Sequence, residues 1–343
     1  MMSTLIVYCV DDNYFHLLEQ NLLSLNTDFG KFNVGIVDIG LSDENKDRIR
    51  DLFPNTEFVE PGWKIEVPGM NDSPRYKQGM LARPFISKMF PGYSGYFYSD
   101  ADVWFPDATA VKDYIAAASA TGAAFGIEAH PTYKIHHTLR NISFLKWNLI
   151  YGYKSHLFSN CRKMFGAEIA HKMAKLSFLN SGIFYMDSDS PIWDAWIRYC
   201  RRAKLSPQNL SNQACLHVAI VEEGLPYAAM PATHNWLPAK GVPAIDPASR
   251  TLVDPSFPHL PIKAIHQNLH HLGRAGDLAR VARHPRCAHG LFGDALEVLR
   301  LDVDGAQAAR HAETADEGVE HVAGVFARMA HRVGHHRLPV GVR

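Results

Sequence analysis

The chain has 343 residues, of which 47% are hydrophobic and 20% are charged, and its 35 Lys and Arg residues equal its 35 Asp and Glu residues in number. This length is enough for one large α/β domain with additions or for two domains, and the balanced charge gives no reason to expect a nucleic-acid partner. Five scattered cysteines without metal-site spacing are typical of a reducing compartment. We therefore expect a cytoplasmic protein, attached at most peripherally to the inner face of a membrane.

Strand and helix patterns alternate through the first part of the chain, which predicts a largely parallel sheet flanked by helices. The predicted strands are residues 5–10, 33–39, 56–60, 96–99 and 123–127. The predicted helices are residues 15–25, a segment that begins after Ser42, residues 75–90 and a surface helix within 108–124. Ser42 is the expected N-cap of its helix, and Pro84 is expected to bend or divide the helix that contains it.

Residues 128–175 have a different character, because Lys, Arg and aromatic residues are frequent there and acidic residues are few. Two interpretations stay open: a solvated helical face with core aromatics, or a lid or acceptor platform for an anionic molecule. Later segments predict a strand at 177–186, helices at 193–201 and 212–222, and a last strand at 262–265 that ends at His266. The Ala-, His- and Arg-rich residues that follow predict a helical C-terminal extension with a loose end.

The most informative segment runs from Tyr96 to Trp104, where an aromatic strand ends at Asp100-Ala101-Asp102. Where the chain begins to turn at a strand end, two carboxylates one residue apart can converge on one cation. Mg²⁺ and Mn²⁺ prefer oxygen ligands and often complete their shells with phosphate oxygens, so the segment suggests a metal beside a diphosphate. The spacing alone instead favours two aspartates that only begin the following turn.

Several segments in a fixed order carry a resemblance to a known family. They are Asp11-Asp12-Asn13-Tyr14 after the first strand, Val37 to Ser42 after the second, Leu81-Ala82-Arg83, Asp100-Ala101-Asp102 and Leu179-Asn180-Ser181-Gly182-Ile183. Over residues 5–270 this order resembles glycosyltransferase family 8, the retaining nucleotide-sugar transferases that include glycogenin and lipopolysaccharide galactosyltransferases. The resemblance implies a GT-A fold, which is an α/β, Rossmann-like fold with a mixed, mostly parallel sheet flanked by helices.

The resemblance also implies an organisation and a reaction. A GT-A domain would cover residues 1–275, with a nucleotide-binding half at 1–127 and an acceptor half at 128–275, followed by the extension at 276–343. The reaction would move a hexose from a UDP-sugar to a hydroxyl of a glycan or glycolipid, with retention of configuration and with Mn²⁺ or Mg²⁺. The basic, aromatic residues 128–175 would then suit an anionic acceptor.

The resemblance assigns the nucleotide and the metal to two groups of residues. The nucleotide is assigned to Asp11, Asn13 and Tyr14, although Asp11 and its neighbours would equally cap the helix that follows. The metal, bridging both phosphates, is assigned to a set of three side chains: Asp100, Asp102 and His266. His270 and His271 are the alternatives to His266 if the register differs. Two small residues would lie against the bound nucleotide sugar, namely Ala101 and Gly182.

Four more residues are implied in catalysis or in binding of the donor sugar, namely Arg83, Asn180, Asn212 and Gln213. Arg83 would hold the donor sugar or the leaving diphosphate through its guanidinium fork, and its alternative role is a surface ion pair. Asn180 would hold sugar hydroxyls, and the amide oxygen of Gln213 would lie under the anomeric carbon. Asn212 stands where the family usually has an aspartate.

Two departures from the family pattern leave other functions open. Asn212 replaces the usual acidic residue, and no Lys-Pro-Trp element follows His266. Neutralising the diphosphate would then fall to other cationic side chains: Lys263, His270, His271 or Arg274. One rival function is a non-catalytic nucleotide-sugar- or glycan-binding protein on the same fold. Another is a haloacid-dehalogenase-like phosphatase, although that chemistry usually places its Asp-x-Asp motif on the first strand.

Overall fold

The structure, a computed structural model, describes residues 4–26, 32–62, 66, 75–127, 138–141, 151–154, 156–173, 176, 178–206, 211–238 and 243–267. The chain divides into two compact units, one formed by Met1–Ala244 and Leu252–Asn268 and the other by Ile245–Thr251 and Leu269–Arg343. Of the second unit only 245–251 is described, and there the carboxylate of Asp246 accepts from the backbone N–H groups of Ala248 and Ser249. The predicted extension at 276–343, most of 128–150, and the alternatives His270, His271 and Arg274 lie outside the described residues.

The strands are β1 Thr4–Val10, β2 Asn33–Asp38, β3 Glu57–Val59, β4 Gly95–Ser99, β5 Val103–Trp104, β6 Ala123–Ile127, β7 Thr138–Asn141, β8 Tyr151–Lys154, β9 Leu179–Asp187, β10 Ala228–Ala229, β11 Ala244–Ile245, β12 Leu252–Val253 and β13 Ile265–His266. The helices are α1 Phe15–Asn26, α2 Asp43–Leu52, α3 Arg75–Ala82, α4 Ile86–Met89, α5 Ala110–Ala118, α6 His156–Phe165, α7 Ala167–Met173, α8 Ile192–Arg202 and α9 Asn212–Glu223. None of these described helices is long and apolar enough to cross a bilayer.

The central sheet has the strand order β10-β6-β9-β4-β1-β2-β3 in the described part of the chain. Strand β9 runs antiparallel to its neighbours β4 and β6, and the other pairs in the sheet are parallel. The predicted mixed, mostly parallel α/β sheet is therefore confirmed. A continuous apolar run explains why β1 lies in the middle: Leu5, Ile6, Val7 and Tyr8 are at most 1% exposed, as expected for a strand covered on both faces.

The predicted element boundaries agree with the structure to within a few residues, and two details differ. The division expected at Pro84 is confirmed, because residues 75–90 form α3, a 3₁₀ turn at Arg83–Phe85 and α4; the difference is that Arg83 stands on the 3₁₀ turn rather than on the α-helix. The strand predicted at 262–265 is only the two residues of β13. The predicted N-cap is confirmed, because the Ser42 side chain accepts from the backbone N–H of Asn45 at 3.4 Å.

One edge of the sheet gathers the strand ends that matter for function. Strands β1, β4 and β6 finish there, at Val10, Ser99 and Ile127, and the antiparallel β9 begins there at Leu179. The pairing of β6 with β9 shifts at this edge, since Phe125 pairs with Phe184 but Gly126 pairs with Asn180. This irregularity gives β9 extra backbone where it passes the end of β4.

Candidate metal centre

Three side chains predicted to hold a metal converge at this edge. Asp100, Asp102 and His266 each offer one ligand atom, and these atoms all lie within 4.8 Å of one another. His266 Nε2 is 3.3 Å from Asp102 Oδ1 and 3.9 Å from Asp100 Oδ2. Asp102 and His266 are almost fully buried, whereas Asp100 is partly exposed. Two carboxylates and one imidazole form a ligand set with room for ligands from outside the chain.

A short strand pair brings His266 to the aspartates. Strand β13 pairs antiparallel with β5, which places His266 opposite Val103, the residue after Asp102. Two further backbone bonds fix this register: Gln267 N–H donates to Asp102 O at 2.9 Å, and His266 N–H donates to Trp236 O at 2.8 Å. The histidine is therefore held by backbone on both sides.

Arg83 forms an ion pair with Asp100 in which both side chains are largely buried, with 13% and 19% exposed, so it is not the surface ion pair considered for it. The guanidinium contacts Asp100 Oδ1 through Nη2, donates from Nε to Tyr98 OH at 2.9 Å, and donates from Nη1 to Ser181 Oγ at 3.3 Å. Burial holds the pKa of Tyr98 well above its ordinary value, so its phenol stays protonated and donates to Asp100 Oδ1 at 2.9 Å. Asp100 therefore keeps Oδ1 for Arg83 and Tyr98 and presents Oδ2 to His266.

Gly182 lies directly against Asp100 and His266. A Cβ at this position would be 2.2 Å from Asp100 Oδ2, 2.8 Å from His266 Cε1 and 3.0 Å from Asn180 Oδ1. The backbone is equally close, since Asp100 N–H donates to Gly182 O at 2.7 Å. Glycine is required here because any side chain would occupy the space where the ligand atoms meet.

A pair of buried amides stands behind His266. Asn180 Nδ2 is 3.0 Å from His266 Nδ1, and Asn235 Oδ1 is 3.1 Å from the same nitrogen. Asn180 also accepts from Gly182 N–H at 2.8 Å, and its assignment to sugar hydroxyls stays a prediction. Sequence reasoning gave no role to Asn235, Tyr98 or Ser181. No motif marks Asn235, and the other two lie inside quoted segments whose side-chain contacts only the fold establishes.

The segment after β1 uses its polar groups locally. Asp11 Oδ1 accepts from the backbone N–H groups of Asn13 and Tyr14 at 3.1 and 3.3 Å, and its Oδ2 accepts from Asn13 Nδ2 at 3.1 Å. This is the geometry of a cap before α1, which was one of the two interpretations. Burial raises the pKa of Tyr14, and the carboxylates of Asp102 and Asp11 raise it further. The assignment of these three residues to a nucleotide stays a prediction.

Two neighbouring amides at the start of α9 have different environments. Gln213 is partly buried and donates from Nε2 to Leu179 O at 2.7 Å, which places it beside the first residue of β9. Asn212 is 0% exposed, donates from Nδ2 to Met80 O at 2.8 Å, and accepts from Trp196 Nε1 on its backbone oxygen at 2.8 Å. Contact between the Asn212 side chain and a substrate would therefore require movement of α3 or α9.

Two predicted residues remain, Ala101 and Lys263, together with the charge balance of the two aspartates. Ala101 is buried between the two aspartates. Lys263, a candidate for diphosphate neutralisation, donates to Asp113 Oδ2 at 2.6 Å and to Thr109 Oγ1 at 3.0 Å, so it is already engaged. Two carboxylates that share a site repel each other, and Arg83 compensates only one of them. The chemistry of this donor set therefore fits a divalent cation.

No protein-family model and no curated protein matches the chain. Among solved structures the chain is similar to the galactosyltransferase LgtC in complex with donor and acceptor sugar analogs, with 15% identity over 77% of this chain and 87% of that chain and a TM-score of 0.47. It is also similar to the bifunctional glycosyltransferase WbbM, with 15% identity over 78% and 46% of the two chains and a TM-score of 0.49. Mouse xyloside xylosyltransferase 1 gives 9% identity over 78% and 98%, with a TM-score of 0.47. Because all three TM-scores are below 0.5, functional conclusions depend on the site of this chain itself.

Proposed function

We propose that the chain is a metal-assisted, retaining glycosyltransferase of the GT-A type, similar to family 8. It would move a hexose from a UDP-sugar to a hydroxyl of a glycan or glycolipid. This proposal depends on one observation: ligand atoms of Asp100, Asp102 and His266 lie within 4.8 Å of one another. Arg83 contacts Asp100 through Oδ1. In open α/β sheets, the crevice at the carboxyl ends of the strands is where ligands bind, and this cluster lies there.

The proposed donor site combines a cation with a fixed positive side chain. When bound, Mn²⁺ or Mg²⁺ at Asp100, Asp102 and His266 would neutralise charge on the leaving diphosphate. Arg83 adds a charge that is already oriented by Tyr98 and Asp100, so it needs no reorganisation during the reaction. Because Arg83 is held on several sides, its role is to offset the negative charge of Asp100 beside the diphosphate.

The transfer itself requires few groups from the chain. The bond between the anomeric carbon and the phosphate oxygen breaks, and its electron pair leaves with UDP. The acceptor hydroxyl attacks the face that UDP leaves, and its proton passes to a diphosphate oxygen. Gln213, whose Nε2 is tied to Leu179 O, would turn its amide oxygen to the positive anomeric carbon. A covalent adduct on Gln213 is disfavoured, since a neutral amide is a weak nucleophile.

The acceptor and the compartment follow from the same proposal. The basic, aromatic character of residues 128–175 supports an anionic glycolipid or oligosaccharide as acceptor, in a cytoplasmic protein attached to a membrane at most peripherally. Charge reversal at Lys146 and Lys154 should weaken transfer to such an acceptor and spare donor hydrolysis. Unchanged transfer by both variants would contradict the anionic acceptor alone.

The decisive experiment measures UDP release from UDP-glucose and UDP-galactose with Mn²⁺, with EDTA, and in the D102N variant. We expect release that needs the cation and is lost in D102N. A thermal-shift series with UDP-, GDP- and CMP-sugars identifies the nucleotide, because a ligand that binds only the folded state raises the melting temperature. Binding without release would favour the non-catalytic protein, and phosphatase activity without nucleotide-sugar binding would favour the haloacid-dehalogenase-like function.

A further inference from the structure

The side chain of Asn235 lies on the opposite side of the His266 ring from the aspartates. Asn235 Oδ1 is 3.1 Å from His266 Nδ1, while Nε2 of the same ring faces Asp102 Oδ1 at 3.3 Å. Asn235 is 2% exposed, and its Nδ2 donates to Ile127 O at 2.9 Å. That bond fixes which end of the amide carries the oxygen, so the acceptor faces the imidazole.

Asn180 presents the opposite polarity to the same ring nitrogen. Its Oδ1 accepts from Gly182 N–H at 2.8 Å, so its Nδ2 faces His266 Nδ1 at 3.0 Å. A ring with its hydrogen on Nδ1 can donate to Asn235, and a ring with its hydrogen on Nε2 can accept from Asn180. Only the first arrangement directs an electron pair on Nε2 towards the two aspartates, which is what a cation at this site requires.

We propose that Asn235 is a positioning residue that keeps the hydrogen of His266 on Nδ1 and thereby makes Nε2 a metal ligand. The inference rests on the proposed metal-assisted function. Ligand histidines commonly donate their second N–H to an oxygen behind them, and that contact sets both the tautomer and the orientation of the ring. Asn180 satisfies the other tautomer, in which Nε2–H donates to Asp102 when no cation is bound.

The fold holds Asn235 in place independently of the histidine side chain. Trp236 N–H donates to Ala264 O at 2.8 Å, which fixes the backbone next to Asn235 alongside the segment that carries His266. On the other side, a Cβ at Gly126 would lie 2.9 Å from Asn235 Cβ, so glycine in β6 is what admits the asparagine. Asn235 is therefore a fixed support against which the imidazole is oriented.

The test uses Mn²⁺ alone as the probe and follows its binding by electron paramagnetic resonance of the free aqueous ion. The full-length wild type is compared with N235A, H266A and the N235A/H266A double variant. We expect N235A to weaken Mn²⁺ binding by about 10- to 100-fold, the usual effect of removing a support behind a ligand histidine. In the H266A background the same change should have no further effect, because Asn235 acts through His266.

A conservative variant and a spectroscopic readout separate positioning from a loss of structure. N235D keeps an oxygen beside His266 Nδ1 and should bind Mn²⁺ within a few-fold of the wild type, whatever its stability. Two-bond ¹H–¹⁵N spectra of the imidazole with Mg²⁺ should show Nδ1–H for wild type and N235D and Nε2–H for N235A. Wild type that binds no Mn²⁺ would overturn the metal centre itself. If the wild type binds Mn²⁺ no more tightly than N235A, only the role of Asn235 is overturned. The same holds if N235A lowers Mn²⁺ affinity equally in the wild-type and H266A backgrounds.

Discussion

Gly182 and Asp100 are in closer contact than any side chain at position 182 would allow. A Cβ on Gly182 would lie 2.2 Å from Asp100 Oδ2, the oxygen that faces His266, while Gly182 O accepts the backbone N–H of Asp100 at 2.7 Å. The backbone of β9 therefore lies directly against the candidate metal centre. Its shape depends on one residue having no side chain.

We expect G182A to disrupt the centre, because its methyl group must displace Asp100 or the imidazole of His266. Mn²⁺ affinity should fall at least about 10-fold and the melting temperature should fall with it, as is usual when a core is overpacked. The matched control is G62A, where a Cβ meets nothing nearer than Glu60 O at 4.0 Å. Unchanged Mn²⁺ binding in G182A would show that Asp100 and His266 can move apart without loss of Mn²⁺ affinity.

The two aspartates should differ in their effect on stability although both are needed for the metal. D100N leaves the largely buried Arg83 without its ion-pair partner and should lower the free energy of unfolding by about 2 kcal/mol, as for loss of a hydrogen bond to a charged group. D102N removes one of two carboxylates that repel each other and should cost little without metal. Denaturant titrations in EDTA measure the difference, and Mn²⁺ binding should be lost in both. Equal stability of the two variants would contradict the described ion pair.

Stability should fall in mild acid because of His217. Its ring nitrogens have no hydrogen-bond partner among the described residues, and burial lowers its pKa from 6.5 to about 4. Between pH 6.5 and 4 the unfolded chain therefore binds a proton that the folded chain does not bind. The free energy of unfolding keeps its full value above pH 6.5 and decreases as the pH falls towards 4. The loss is at most about 3 kcal/mol.

H217F should remove this acid sensitivity, whereas H16Q, at an exposed histidine of α1, should keep it. The measurement is the free energy of unfolding between pH 4 and 7.5 for both variants and the wild type. Parallel pH profiles for wild type and H217F would mean that other groups cause the dependence, His234 among them, since burial also lowers its pKa.

Gln213 and Asn212 are adjacent, yet we expect their alanine variants to behave differently. Q213A should retain Mn²⁺ affinity and lose less than about 1 kcal/mol of stability with its bond to Leu179 O, because Gln213 is less buried than Asn212. Its kcat should fall by about 100-fold, the lower range for one aligned transition-state contact. N212A removes the bond to Met80 O inside the protein and should cost about 1–2 kcal/mol of stability. Kinetics and denaturant titration on the same preparations separate the two. A kcat loss in N212A at unchanged stability would restore the catalytic role implied for that position.

The sequence predicted the parts of the fold that local patterns encode. The apolar run at Leu5 marks a buried strand, Ser42 marks a helix start, and Pro84 marks a break, since each acts through its own backbone or its near neighbours. The convergence of Asp100, Asp102 and His266 was also predicted, because two of them form one short motif at a strand end and the third closes another strand.

The rest depended on contacts between distant segments. Asn235 contacts His266 in β13 and also lies against Gly126 and Ile127 in β6. No local pattern in the chain predicts these long-range contacts. Asp11 shows the opposite limit. A carboxylate after a strand is compatible with capping and with ligand binding alike. The nearby N–H groups show the capping bonds, and the assignment to a nucleotide stays a prediction.

The double engagement of Asp100 has a practical consequence. Its Oδ1 is held by Arg83 and Tyr98 and its backbone by Gly182, and none of these contacts involves a metal ion. The position of Asp100 should therefore be unchanged when the metal ion is removed. Protein stripped by a chelator should take up Mn²⁺ again on simple mixing, without passing through a renaturation step.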